Sequence, residues 1–240
     1  MTDGTFYLEA ESYYPGGFDL IILTVKAYHT EEAAKNIKEE YEDEMILTFQ
    51  NGVGIVDTLL NFNFDVIPGV TTHGATLISP GVVRHAGYGD TFIGERNGKL
   101  SERVFAIAEN FTTCGFKTEV VNDIMERRWI KAAINACINP LTAVLRVKNG
   151  ALKDENLREV MRCIADECAQ VLADKDIHAN VYELAMDVIE KTKENKSSML
   201  QDIERGRRTE VDYIVKPFIK GKCNKMMYEL IKFLETHGGF

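Results

Sequence analysis

KTEVVNDIMERRWIKAAINACINPLTAVL, residues 117–145, holds the change of period that decides the fold class. Its first five residues, KTEVV, form a short β-type run. After Asn122 apolar residues recur at helical spacing, and they do so almost to the end of the chain. Upstream the texture is different. DLIILTV (19–25) is a continuous apolar run led by Asp19, which predicts a strand buried on both faces of a parallel sheet. A polar helical stretch over 30–41 follows, then the strand MILTF (45–49), then NGVG opening a helix with IVDTLL (55–60). FDVIPGVTTHGATLI (64–78) reads as one more strand, VVRHAGYGDTFIGE (82–95) as a hairpin interrupted by glycines, and VFAIAENFTTCG (104–115) as a helix closed by Gly115. This alternation predicts an α/β domain over residues 1–121. Helices are expected downstream at about 124–145, 153–174, 179–193, 199–206 and 224–235, giving a helical domain over 122–240. No Pro/Gly/Ser linker, repeat or low-complexity segment marks the boundary near residue 121. In such a pair of domains the cleft between them is the expected place for a site.

At 240 residues the chain can bury a substantial core, and 45% hydrophobic with 27% charged residues is ordinary for a globular protein in water. A net charge of −9 argues against nucleic acid as a partner, because that partner requires a basic surface. The longest apolar run, FDLIILTV (18–25), is too short to span a bilayer, and no signal peptide opens the chain. The cysteines at 114, 137, 163, 168 and 223 lack paired metal-ligand spacing. The expectation is therefore reduced thiols, no membrane partner, no metal and a cytoplasmic location.

Three constellations carry chemistry. Lys131, Asn135 and Asn139 follow one another at steps of four on the helix predicted over 124–145. Each such step rotates about 40°, so they form one slanted polar stripe among Ile130, Ala133, Ile134, Cys137 and Ile138. A solvated face would explain the stripe equally well, but apolar neighbours flank it on nearly every side, and Pro140 disturbs the helix directly after Asn139. A lysine shielded from water has a lowered pKa and can donate a proton near neutral pH. In KSSMLQDIERGRRTEVDYI (196–214), Ser198 and Gln201 have capping-box spacing, and Glu210 stands near the start of another short helix. Ser198 could act as a cap alone, and Glu210 as a first-turn acid alone. In FQNGVG (49–54), Asn51 and Gly52 sit at the end of a strand, where open parallel sheets bind ligands, or else form an ordinary Asn-Gly turn. Lys26 holds the matching place after DLIILTV, where a cation suits a phosphate.

In order, LTVKAYHT, FQNGVG, TTHGA, HAGYGDTFIGE, RRWIKAAINACINPLTA, NGAL, NKSSMLQDIERGRRTEVDYI and MMYELIK resemble the ketopantoate reductase family over roughly 18–214 and again over 224–235. The resemblance implies a partial Rossmann-type dinucleotide-binding domain followed by an all-α, 6-phosphogluconate-dehydrogenase-like domain. It implies NADPH-dependent reduction of 2-dehydropantoate to pantoate on the route to coenzyme A, with NADH not excluded as cofactor. Lys131 falls on the family's general acid. Asn135, Asn139 and Asn149 fall on asparagines around the substrate, and Asn195 and Ser198 on the residues that hold its carboxylate end. Lys26, Asn51 and Ala75 fall on cofactor contacts, and Glu210 on the acid that helps hold substrate and cofactor. The partner is a small 2-keto acid, and amphipathic helices such as 153–174 leave room for a homodimer.

Two departures accompany the resemblance. The family's opening strand, G-x-G-x-x-G turn and helix have no counterpart here, and GTFYLEAESYY (4–14) matches at most the stretch shortly before DLIILTV. The dinucleotide-binding domain is thus expected to be incomplete, without the central first strand of a 3-2-1-4-5-6 sheet. VKPFIKGKC (215–223) stands in place of a longer family segment. Alternatives to ketopantoate reduction are another 2-keto acid as substrate, or a non-catalytic relative that serves as a binding or assembly partner.

Overall fold

A computed structural model describes residues 18–40 and 45–237, so GTFYLEAESYY (4–14) lies outside the described residues. The chain divides into two compact units. The first, within 18–25, 29–40, 45–50 and 55–125, is built on a sheet. Its elements are β1 (Ile21–Leu23), α1 (Thr30–Glu40), β2 (Met45–Thr48), α2 (Ile55–Leu60), β3 (Asp65–Thr71), β4 (Gly74–Ser79), β5 (Val82–Gly87), β6 (Thr91–Ile93), α3 (Glu102–Thr113) and β7 (Thr118–Val120). The main sheet has the order β1-β2-β3-β6-β7. β1, β2 and β3 run parallel, β6 is antiparallel to β3, and β7 is parallel to β6. Leu47, Ile67 and Ile93 point to the face covered by Val104, Ile107 and Ala108 of α3. Ile46 and Val66, alternating with them, are buried on the other face. Both faces of β2 and β3 are therefore covered, as a continuous apolar strand requires.

Three details differ from the sequence expectation. Among the described residues β1 is an edge strand, and Ile22 is 48% exposed, so DLIILTV is not buried on both faces. The run 64–78 is two strands, because β3 ends at Thr71 and the chain leaves the sheet at Gly74. The hairpin pairs β4 with β5, with Ala75 opposite His85, whereas β6 returns to β3. Thr72 makes that return possible: its N–H donates to the Asp90 carbonyl and its hydroxyl accepts from the Asp90 N–H, so residues after β5 close onto the end of β3. Such long-range pairing leaves no mark on local periodicity.

The second unit takes in 126–237 together with two short segments, 26–28 and 51–54. Its helices are α4 (Ile124–Leu145, whose first two residues belong to the sheet unit), α5 (Arg158–Ala173), α6 (Val181–Lys191), α7 (Ser198–Glu204), α8 (Val211–Ile214) and α9 (Lys222–His237), with short 3₁₀ turns at 149–153, 155–157 and 216–218. Small buried residues of α4 (Ala132, Ala133, Ala136, Cys137 and Ala143) let neighbouring helices approach closely. Phe218, fully buried in the segment 215–223, packs edge-on against Trp129 at 5.8 Å between ring centres. No helix of the described residues is long and apolar enough to cross a membrane.

The thiol expectation is overturned for one pair. Cys163 of α5 and Cys223 of α9 form a disulfide across 60 residues, with Cα atoms 6.1 Å apart. Glu167, one turn along α5, accepts the N–H groups of Cys223 and Asn224 at 2.8 and 2.9 Å and so caps α9. Spacing in the sequence could not reveal the pair, because tertiary packing brings the two helices together. Cys114, Cys137 and Cys168 are free thiols.

Candidate active site

α4 positions the first group of side chains. Lys131 and Asn135 are half-buried and Asn139 is buried, so the polar stripe faces inward as its apolar flanks require. α4 runs unbroken through Pro140, contrary to the expected disturbance. The missing proline N–H leaves the Ala136 carbonyl without its helical donor. Two residues further, Thr142 Oγ1 lies 3.0 Å from the Ile138 carbonyl, 2.9 Å from the Asn139 carbonyl and 2.7 Å from Ser197 Oγ. That hydroxyl pair joins the polar side of α4 to the start of α7. Ser197, not Ser198, is the helix cap, because its Oγ accepts the Leu200 N–H at 3.1 Å. The second serine of SSMLQD is thereby freed: Ser198 is exposed in the first turn, and Asn195 is exposed just before it.

A cluster of one ammonium and two carboxylates lies in the same unit. Lys26 Nζ is 2.6 Å from Asp202 of α7 and 3.5 Å from Glu210, and the Ala27 N–H donates to Glu210 Oε1 at 2.9 Å. Both acids are buried. Burial opposes the lysine's charge, but Glu210 and Asp202 outweigh it and hold the ammonium above its ordinary range. Two buried carboxylates thus meet the cation. Lys131 has the opposite fate. Burial, reinforced by the Arg128 charge and opposed by Glu210, lowers it to about 8. Burial likewise brings Arg128 down to about 10.

The segment 51–54 is fastened to this unit by two contacts. The Val53 N–H donates to the Tyr213 carbonyl at 3.1 Å, and Arg128 Nη2 donates to the Gly52 carbonyl at 3.4 Å. Gly52 has φ +87°, and a Cβ there would stand 2.7 Å from both Tyr213 Cβ and the Tyr213 carbonyl oxygen. Gly52→Ala combines a left-handed backbone costing about 1–2 kcal/mol with a collision against main chain. We expect a lower thermal midpoint and displacement of Asn51, read by calorimetry and by weakened ligand binding. A wild-type melt and wild-type binding in that variant would disprove the fastening.

Asn149 and Asn195 are brought together by main chain: the Asn149 N–H donates to the Asn195 carbonyl at 3.0 Å. Asn149 is 7% exposed, and its Nδ2 donates to Thr192 Oγ1 at 2.9 Å. Its Oδ1 is buried and has no hydrogen-bond partner among the described residues. Ala75 stands exposed on β4 of the sheet unit. Sequence reasoning missed Asp202, Arg128, Thr142 and Ser197. Asp202 did leave a signal, since it shares the buried face of α7 with Met199, Leu200 and Ile203, where an unpartnered acid is costly. Among the described residues Cys163, Glu167 and Cys223 lie within mutual metal-ligand reach, but the two sulfurs are bonded to each other.

Residues 6–98 match the family described as "Ketopantoate reductase PanE/ApbA", and residues 123–235 match its C-terminal domain. The chain belongs to the ketopantoate reductase family. Among its relatives in that family is the 2-dehydropantoate 2-reductase of Archaeoglobus fulgidus, 44% identical over 207 residues, which cover 86% of this chain and 70% of the relative. The crystal structure of the PanE/ApbA family ketopantoate reductase from Ralstonia eutropha JMP134 superposes with a TM-score of 0.84 at 26% identity, covering 92% of this chain and 76% of that one. D-mandelate dehydrogenase with NADH and anilino(oxo)acetate also reaches 0.84, at 25% identity, covering 91% of this chain and 76% of that one. The likeness spans both the sheet unit and the helical unit of a ketopantoate reductase.

Proposed function

We propose that the chain reduces the keto group of 2-dehydropantoate to the alcohol of pantoate, with NADPH as the reductant. The observation that carries this is Lys131, an inward-facing lysine whose pKa is lowered to about 8, on the same helix face as Asn135 and Asn139. Bound NADPH supplies the hydride that adds to the keto carbon. As the carbonyl oxygen gains negative charge, the Lys131 ammonium stabilises it and then delivers its proton there. Asn135 and Asn139 orient the substrate's oxygens, and Asn149 Oδ1, which has no donor among the described residues, suits a substrate hydroxyl. Asn195 and Ser198 are assigned to the carboxylate end.

The residues present fit a dinucleotide at 51–54. Gly54 is exposed with φ +87°, a left-handed conformation that favours glycine, and no described residue lies within 4 Å of where a Cβ would stand. Asn51 contributes an amide, and Lys26 and Glu210 a fixed polar pair; the family pattern alone assigns Ala75 to the cofactor. A second reading, a different 2-keto acid with NADH, is favoured by the likeness to D-mandelate dehydrogenase with NADH.

Titrating the full chain with NADPH and with NADH while following nicotinamide fluorescence tests the first requirement. An assay comparing 2-dehydropantoate with other 2-keto acids tests the second. Saturable NADPH binding and preferred turnover of 2-dehydropantoate are expected. Absence of binding to either cofactor would overturn both readings and leave a non-catalytic partner.

A further inference from the structure

Glu235, in the last turns of α9, has the environment of a working part and not of a surface acid. Its side chain is 8% exposed. Oε1 accepts both the N–H and the hydroxyl of Thr209, each at 2.7 Å, and Oε2 accepts from Lys232 at 2.7 Å. The Thr209 hydroxyl in turn accepts the Val211 N–H at 3.2 Å. Glu210 lies between these two fastened residues, and its carboxylate meets Lys26 and the Ala27 N–H. A second strut from α9 reaches the same segment, where the Tyr228 hydroxyl donates to Asp212 at 2.8 Å.

We propose that Glu235 is a positioning residue for Glu210: by gripping Thr209 it sets the direction in which the Glu210 carboxylate points. The assignment of Glu210 to the substrate and cofactor site is the reading on which this rests. A carboxylate suits the task because two donors converge on one oxygen while an ammonium occupies the other. Charge-assisted bonds of this kind are shorter and stronger than neutral ones, and they hold a backbone turn to a single geometry. With three donors converging on it, the carboxylate is fully hydrogen-bonded in this one orientation.

A double-mutant cycle on the full chain provides the test. Glu235→Ala is expected to lower kcat/KM about 100-fold, the scale of a misplacement near 1 Å, and to raise the Kd for NADPH. Glu235→Gln keeps an acceptor for Thr209 and is expected to restore most of both quantities. In a Glu210→Ala background, Glu235→Ala should add nothing further. Thr209→Val, which removes only the hydroxyl, gives a smaller loss in the same direction and replaces Glu235→Ala if that variant does not fold. Equal losses from Glu235→Ala with and without Glu210, or no loss at all, would overturn the positioning role. Wild-type NADPH affinity and turnover in Glu210→Ala would instead overturn the site assignment.

Discussion

Lys131→Ala is expected to lower kcat by about 10²–10⁴-fold, the usual worth of a positioned proton donor, while NADPH affinity stays close to wild type. The lysine serves the transition state more than the bound substrate, because charge accumulates on the carbonyl oxygen only as the hydride arrives. The fold should not suffer. Lys131 is a cation held against a burial cost, and the alanine adjoins Ala132 and Ala133 in a helix packed with small residues. The pH dependence gives a second reading. The donor must carry its proton, so with a pKa lowered to about 8 activity is constant below that value and falls tenfold per pH unit above it. Residual activity of Lys131→Ala should lack this fall. Stopped-flow and steady-state assays from pH 6 upward decide the matter. Undiminished turnover in the variant would remove Lys131 from the chemistry.

Reduction of the Cys163–Cys223 disulfide is expected to cost the helical unit up to about 4 kcal/mol, from the entropy that a closed loop of this length removes from the unfolded chain. Denaturant unfolding with and without reductant measures it, and a thiol count confirms that the bond has opened. Cys163→Ser and Cys223→Ser should each reproduce the reduced midpoint. The midpoint should fall without loss of native helix content, because Glu167 still caps α9 and Met227 and Ile231 remain in the core. An unchanged midpoint after verified reduction would show that the bond adds nothing to stability.

Much of the molecule follows from local sequence. The period change at KTEVVNDIMERRWIK separates sheet from helix because strands and helices repeat at 2 and 3.6 residues, and α4 runs over the 124–145 that its pattern indicates. The inward face of α4 is legible for the same reason. Lys131, Asn135 and Asn139 are fixed relative to one another by helix geometry alone, and apolar neighbours leave the stripe only the interior to face.

The tertiary structure decided everything that depends on closing a long loop. Lys26 meets Asp202 across 176 residues, and Thr209 meets Glu235 from a separate helix. Cys163 finds Cys223, β6 returns antiparallel to β3, and Ser197 takes the cap that spacing assigned to Ser198 because Thr142 of α4 holds its hydroxyl. No periodicity encodes such pairs. They are selected only when packed helices and strands bring them within hydrogen-bonding reach, where a buried polar group must find a partner or bear the cost of desolvation.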